Sequence, residues 1–370
     1  MDAAQRAMLA DLSFSNVTGT PTRLGTEDQI LVADLTPPYY VGEIRSVRFS
    51  NDKDPWGLDE VSFLAGAKPG KGERDRPQGL MWPLQTDSEY SWYEANGGTT
   101  INVQAPLFAF LPAQIKDKVY MGLVGMDNDV MPAIIRDSIN LIFKLGSLVA
   151  TAFGQVELAA AIQTAGEFID GMLAKAEAAD VEKLGKWTHE ITRSELDTLI
   201  STGQPTTIPA ANVTVDLELS RQKTPPLTRK VKVVLQDVHV AESGDWGDGE
   251  VKLFTRVCDR PTPRPDPARP GESIAPCEMQ TISLGGIHDG CLVTLNKTIF
   301  ESTQLGPYLY IEIGAWDTDE PDLGDDNDLL GQMSVTLNAS ENYGIGSTLI
   351  LSDDAPSGGP VTARLLITDQ

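Results

Sequence analysis

The 370-residue chain carries 53 Asp and Glu against 29 Lys and Arg, a net charge of -24, which opposes nonspecific attraction to nucleic acid and to an anionic bilayer alike unless bound cations reverse the sign locally. With 41% hydrophobic and 22% charged residues it can bury proper cores, and its length suits two domains better than one. Three cysteines, Cys258, Cys277 and Cys291, are too few for a disulfide scaffold and lack the paired spacing of a zinc site.

Residues 1–36 read as an N-terminal arm or first strand, with no secretory signal pattern. From residue 37 onward, four landmarks occur twice in the same order, the signature of an internal duplication. Asp54–Leu64, DPWGLDEVSFL, resembles Gly244–Phe254, GDWGDGEVKLF. Val119–Asp129, VYMGLVGMDND, aligns without a gap on Leu309–Asp319, LYIEIGAWDTD. EKLGKWTHEI from Glu182 matches DLLGQMSVTL from Asp328, placing Gly185 opposite Gly331. Val213–Leu219, VTVDLEL, matches Val361–Ile367, VTARLLI.

These landmarks define repeat one as 37–221 and repeat two as 228–370, joined by a Pro-containing linker at 222–227. Alternating strands separated by Gly, Pro and Asp-rich turns predict two antiparallel β-sandwiches in tandem. In repeat two, Leu309, Ile311, Ile313 and Ala315 form the inward set of one strand, and Tyr308, Tyr310, Glu312 and Trp316 are expected to face water.

Repeat one carries about 44 extra residues, because Asp129 and Glu182 lie 53 apart and their counterparts Asp319 and Asp328 only nine. Ile135, Ile139, Ile142, Leu145 and Leu148 follow amphipathic spacing, and Leu158, Ile162, Phe168, Ile169 and Leu173 continue it beyond Gly154. The pattern predicts an α-helical hairpin over about 131–179. Its charges exclude an ordinary membrane span. Basic residues follow the second strand of each repeat: Lys68, Lys71, Arg74 and Arg76, then Arg256, Arg260, Arg264 and Arg269. They read as loop residues, either screened and mobile or within reach of phosphate headgroups. A bridge between Cys258 and Cys277 would close the Pro-rich loop between them, and two buried thiols are the alternative.

The chemistry concentrates in carboxylates. Asp317, Asp319, Glu320, Asp322, Asp325, Asp326 and Asp328 place seven acids in twelve residues, with no Lys or Arg between Lys297 and Arg364. Two carboxylates about 4 Å apart repel by ~1 kcal/mol in water and ~4 kcal/mol at an effective dielectric of 20. Converging acids therefore call for a cation. Ca²⁺ suits flexible oxygen sets, whereas Zn²⁺ would favour His or Cys and only three scattered histidines exist.

A strand ending in Asp-x-Asp, an acidic loop and then Asp-x-x-Gly before another strand resembles the calcium-binding C2 domain of synaptotagmins and protein kinase C. That resemblance implies Ca²⁺ as cofactor and a phospholipid surface as partner. It implies Asp317, Asp319 and Asp328 as ligands in repeat two, with Asp325 auxiliary and Asp245 and Asp248 from the earlier loop. The implied repeat-one ligands are Asp54, Asp59, Asp127, Asp129 and Glu182, and the Trp-Gly loops depart from the family's usual sequence there. Trp56 and Trp246 stand at loop tips, as membrane-contact candidates or as rings bracing their turns.

No nucleophile elbow, phosphate-binding glycine loop or His-Glu-x-x-His signature occurs, so a catalytic role is not expected. The leading expectation is calcium-dependent attachment to phospholipid or to a protein or glycan surface partner. The alternatives are a membrane-active effector using residues 131–179, and an adhesive, structural or carbohydrate-binding protein with calcium-rigidified loops. Weak surface calcium sites suit an exported or delivered protein.

Overall fold

The computed structural model describes residues 37–50, 59–70, 78–83, 93–95, 97–127, 182–203, 206–223, 230–242, 249–260, 264–265, 273–274, 277–303, 305–318, 329–353 and 361–369. The N-terminal arm, the helical hairpin and most of the linker lie outside the described residues. Repeat one supplies strands β1 (Tyr39–Phe49), β2 (Asp59–Lys68), β3 (Gln78–Trp82), β4 (Tyr93–Ala95), β5 (Thr100–Phe110), β6 (Lys118–Asp127) and β7 (Glu182–Thr192). Helix α1 (Arg193–Thr202) follows, then β8 (Thr206–Pro209) and β9 (Val213–Gln222). Repeat two supplies β10 (Val231–Val240), β11 (Gly249–Cys258), β12 (Arg264–Pro265), β13 (Ser273–Ile274), β14 (Cys277–Ile287), β15 (Cys291–Ser302), β16 (Tyr308–Asp317), β17 (Leu329–Asn338), β18 (Thr348–Asp353) and β19 (Val361–Asp369).

The protein is mostly β, and the duplication extends to its topology. Repeat one forms sheets β5-β1-β9-β8 and β3-β2-β6-β7, with β4 added to β2; repeat two forms β15-β10-β19-β18 and β14-β11-β16-β17. Setting β4 and the β12–β13 hairpin aside, the two orders are the same. All pairings are antiparallel. Period-2 alternation builds each core: Val213, Val215 and Leu217 of β9, and Val361, Ala363, Leu365 and Ile367 of β19, are all buried.

The landmarks found in sequence coincide in register. Val61 faces Asp127 as Val251 faces Asp317, and Gly125 faces Gly185 as Ala315 faces Gly331. Gly185 and Gly331 each seat the valine that opens the repeat's last strand. A Cβ at Gly185 would collide with Cγ2 of Val213, and one at Gly331 would stand 3.0 Å from Cβ of Val361. Gly185→Ala is therefore expected to cost about 1–3 kcal/mol in a denaturant melt, with Val213→Ala recovering part of it.

A second shared device is a bulge. The register slips between Ile44 and Ser46 against β5, and between Leu235 and Asp237 against β15. Gln104 and Asn296 take left-handed φ values of 46° and 48° in these two bulged edge strands.

The two sandwiches touch through the outer face of β16 and β17. Ser334 Oγ donates to the Val103 carbonyl and Thr336 Oγ1 to the Gln104 carbonyl, at 2.7 Å for the latter. The bulge in β5 turns these carbonyls outward for a partner. Gln222 Oε1 accepts from Ser340 N–H at 3.0 Å. Cys258, Tyr308 and Tyr310 join the hydrophobic cluster of repeat one.

This contact corrects the expectation that Tyr308, Tyr310, Glu312 and Trp316 face water. They point away from their own core, as the alternation requires, yet none is more than 3% exposed. Glu312 pairs with Arg256, which lies over the Tyr310 ring at 5.7 Å, and Gln332 Nε2 donates to Glu312 Oε1 at 2.6 Å. Trp316 packs edge-on against Phe254. Arg256 and Lys68 are likewise not loop residues: both lie within strands and are 4% exposed. Arg260 is paired with its neighbour Asp259.

Cys258 and Cys277 face each other across β11 and β14 and form the disulfide, while Cys291 is free.

Helix α1 was missed by the sequence reading, although its start carries a capping box. Thr192 Oγ1 accepts from Glu195 N–H at 3.2 Å and Thr192 N–H donates to Glu195 Oε2 at 2.7 Å. The helix ends at Gly203, with φ 63°, and seats Leu196 in the core.

A buried carboxylate lies near the contact with repeat two. Glu43, 3% exposed, pairs with Arg45 at 2.9 Å, and Arg45 also holds Glu218 at 2.5 Å. Burial pushes the Glu43 carboxyl up to about 7; Arg45 pulls it down, and Glu218 and Glu341 add to the rise. A raised folded-state value means that the native protein holds this proton more tightly than the unfolded chain. The stabilisation is complete below pH ~4.5 and is lost as pH rises through about 7, a change on the order of 3 kcal/mol. Glu43→Gln is expected to flatten this slope and to raise the melting temperature at pH 8.

Candidate functional site at the acidic strand ends

In the first sandwich one end receives three acid positions, and strand geometry explains how. β2 leaves this end, β6 arrives at it and β7 leaves it again, so three neighbouring strands bring Asp59, Asp127 and Glu182 to one rim. Asp127 lies directly opposite Glu182 across β6 and β7, and opposite Val61, two residues along β2 from Asp59. Facing positions in an antiparallel pair hold their Cβ atoms about 4.5–5.5 Å apart, and like charges placed there repel. In repeat two, β16 delivers Asp317 to the equivalent position opposite Val251, and β17 starts at Leu329 on the neighbouring strand.

Asp127 is 6% exposed and Asp317 2%. Both are in phase with the inward side chains of their strands, as Val61 and Val251 opposite them are core residues. Each carboxylate therefore stands at the mouth between the two sheets, where the hydrophobic core ends. Next to Asp317, Thr318 anchors the departing chain: its N–H and Oγ1 both donate to the Glu250 carbonyl, at 3.1 and 2.8 Å. That clamp ties the end of β16 to the start of β11.

The side chains of Asp59 and Glu182 are outside the described set, although their strand positions are within it. Asp54, Asp129, Asp245, Asp248, Asp319, Asp325, Asp328, Trp56 and Trp246 lie outside the described residues. Among the described residues no group of three or more His, Cys, Asp or Glu side chains is assembled for a metal, and no helix is long and apolar enough to cross a membrane.

No family model matches the chain, and no curated relative matches it. Among solved structures, it is similar to human GIVD cytosolic phospholipase A2 at 10% identity, over 90% of this chain and 33% of that one, with a TM-score of 0.25. It is similar to a pair of C2 domains from extended synaptotagmin 2 at 9% identity, over 96% and 95%, with a TM-score of 0.26. A single C2 domain of plant extended synaptotagmin 1 matches 40% of this chain and 98% of its own, at 13% identity and a TM-score of 0.23. The chain thus spans about a third of that phospholipase.

A shallow depression between β7 and α1 is lined by His189, Glu190, Ser194 and Glu195 among others. Burial lowers the His189 value, and Glu195 is held below the usual carboxylate range by its bonds to Thr192. Glu195 is committed to the helix cap and Glu190 to Lys118, which leaves this depression a structural junction.

Sequence reasoning missed Thr318, whose threonine type gives no signal until the Glu250 carbonyl is seen across the rim. It also missed the Arg256–Glu312–Gln332 network, whose partners lie 56 and 20 residues apart.

Proposed function

We propose that this chain is a non-catalytic, calcium-dependent binding protein that attaches through its two acidic rims to an anionic phospholipid surface. One observation carries the reading: the same acid stands in the same register at the mouth of both sandwiches, Asp127 opposite Val61 and Asp317 opposite Val251. Duplicated core residues would follow from shared packing alone. A nearly buried carboxylate repeated at the same strand end is not required for packing.

On this reading Asp317 and Asp319, with Asp328, Asp325, Asp245 and Asp248, would hold Ca²⁺ in repeat two. Asp127, Asp129 and Glu182, with Asp54 and Asp59, would do so in repeat one. Oxygen-rich, histidine-poor rims fit Ca²⁺ and not Zn²⁺. The ion neutralises the rim and leaves coordination positions for lipid phosphate oxygens, so a surface that repels anions becomes one that binds them. Trp56 and Trp246 would enter the headgroup layer beside it.

The test is co-sedimentation of the full chain with phosphatidylserine–phosphatidylcholine vesicles, in calcium and in chelator. Pelleting that requires calcium and weakens in Asp127→Asn/Asp317→Asn supports the reading. Equal pelleting in calcium and chelator, or none in either, refutes it.

A further inference from the structure

The duplication builds the same strand edge twice, and repeat two covers only the first copy of it. β5 and β15 each end the corresponding sheet of their repeat. Their registers match: Val47 faces Ile101 as Val238 faces Val293, and Ser46 faces Asn102 as Asp237 faces Thr294. Val103 is therefore the counterpart of Leu295, and Gln104, with its left-handed φ, that of Asn296. In repeat one β17 lies over this edge. Ser334 and Thr336 bond the Val103 and Gln104 carbonyls, and Ile101 and Val103 are 2% and 0% exposed. In repeat two the same positions stand open: Val293 and Leu295 of β15 and Leu284 of β14 are only half-buried, and Leu292 is 58% exposed.

Charge selects what can cover this edge. From Met279 to Phe300, the stretch that holds most of β14 and β15, there is one acid, Asp289, and one base, Lys297, in a chain of net charge -24. Two such chains repel where their acidic surfaces approach, whereas exposed charges more than about 8 Å apart are largely screened at physiological salt. A nearly neutral, apolar edge is thus where two copies can meet. A cationic partner would be drawn to the acid-rich loops instead. The contact has to be edge to edge, because the outward side of β6, the counterpart of the β16 face that covers repeat one, is not vacant: Tyr120, Val124 and Met126 are 1%, 1% and 2% exposed. Asp289 and Lys297 lie equally far along the chain from Val293. Antiparallel apposition about Val293 therefore brings Lys297 of each copy toward Asp289 of the other, the self-complementarity that a twofold interface requires.

We propose that the open β14–β15 edge is a self-association surface, on which a second copy of this chain docks by its own β14–β15 edge about a twofold axis. Leu284, Leu292, Val293 and Leu295 form its apolar centre. The contact is independent of calcium and of the acidic strand ends.

Sedimentation velocity of the full chain in chelator, up to about 100 µM, tests this. The expected result is a species of twice the 40.0 kDa chain mass, strengthened by added salt because screening weakens repulsion between the two acidic bodies. Leu292→Glu, checked for its fold by circular dichroism, is expected to weaken the dimer by about 10-fold or more. Ile350→Glu, on β18 at the opposite end of the same sheet and 70% exposed, is expected to leave it unchanged. Cys291→Ser is expected to leave it unchanged as well, since the association needs no bond between the free cysteines. A single 40.0 kDa species at the highest concentration would overturn the proposal and assign the edge to a different partner. A dimer that forms only with calcium, dissociates in salt, survives Leu292→Glu intact, or disappears in Ile350→Glu or Cys291→Ser would overturn it equally.

Discussion

Replacing Arg256 with Leu is expected to lower the unfolding free energy by about 3–5 kcal/mol. Arg256 is 4% exposed and Glu312 fully buried, and Glu312 receives hydrogen bonds from Arg256 and from Gln332. Removing the guanidinium leaves a carboxylate in a low-dielectric site without its cation. The native protein must then take up a proton there or admit water, and either is costly. The paired change Arg256→Met/Glu312→Leu removes both charges together and is expected to recover most of the loss, because well-packed apolar residues often replace a buried ion pair at little cost. Urea melts of the two variants check this. A loss under about 1 kcal/mol for Arg256→Leu would mean that the contact between the sandwiches opens to water.

The ion pair also marks the limit of what the sequence alone reveals. Local and periodic features were legible. Val61 and Val251, Gly185 and Gly331, and the valines opening the last strands were recognisable as equivalents because close packing demands the same shape at the same place twice. The face of β16 carrying Tyr308, Tyr310, Glu312 and Trp316 was not. Period-2 alternation states only which side a residue is on, and what covers that side is decided by segments more than 200 residues away, such as Val103 and Gln104. Arg256 looked like a loop cation because its partner, 56 positions on, cannot be matched by pattern. Helix α1 was overlooked for a different reason: its ten residues bury chiefly Leu196, which is too little periodicity to stand out, and only the Thr192–Glu195 box announced it. At the site, the acids were legible as a set, and the placing of Asp59, Asp127 and Glu182 at the ends of three neighbouring strands followed once strand directions were known.

The second large effect concerns Asp317. Asp317→Asn is expected to raise the melting temperature in chelator, because it removes one of seven acids that fall within twelve residues of sequence. In millimolar calcium the same change is expected to lower the melting temperature relative to wild type. A ligand bound only by the folded state stabilises it by about 2.7 kcal/mol at 100 times its dissociation constant, and the variant forfeits that gain. The reversal of sign separates a metal ligand from a residue that merely shapes its turn. A structural role, such as Thr318 plays through the Glu250 carbonyl, predicts destabilisation in both conditions. Asp127→Asn should behave alike in repeat one, since its register is the same. Paired melts with and without chelator read both variants.

Calcium titration by isothermal calorimetry, on the wild-type chain and on Asp317→Ala/Asp319→Ala, tests the central claim most directly. The account predicts saturable heat with Ca²⁺, weaker binding of Mg²⁺, and loss of the repeat-two component in the double variant. Heat that is absent with Ca²⁺, or unchanged by the double substitution, would contradict it.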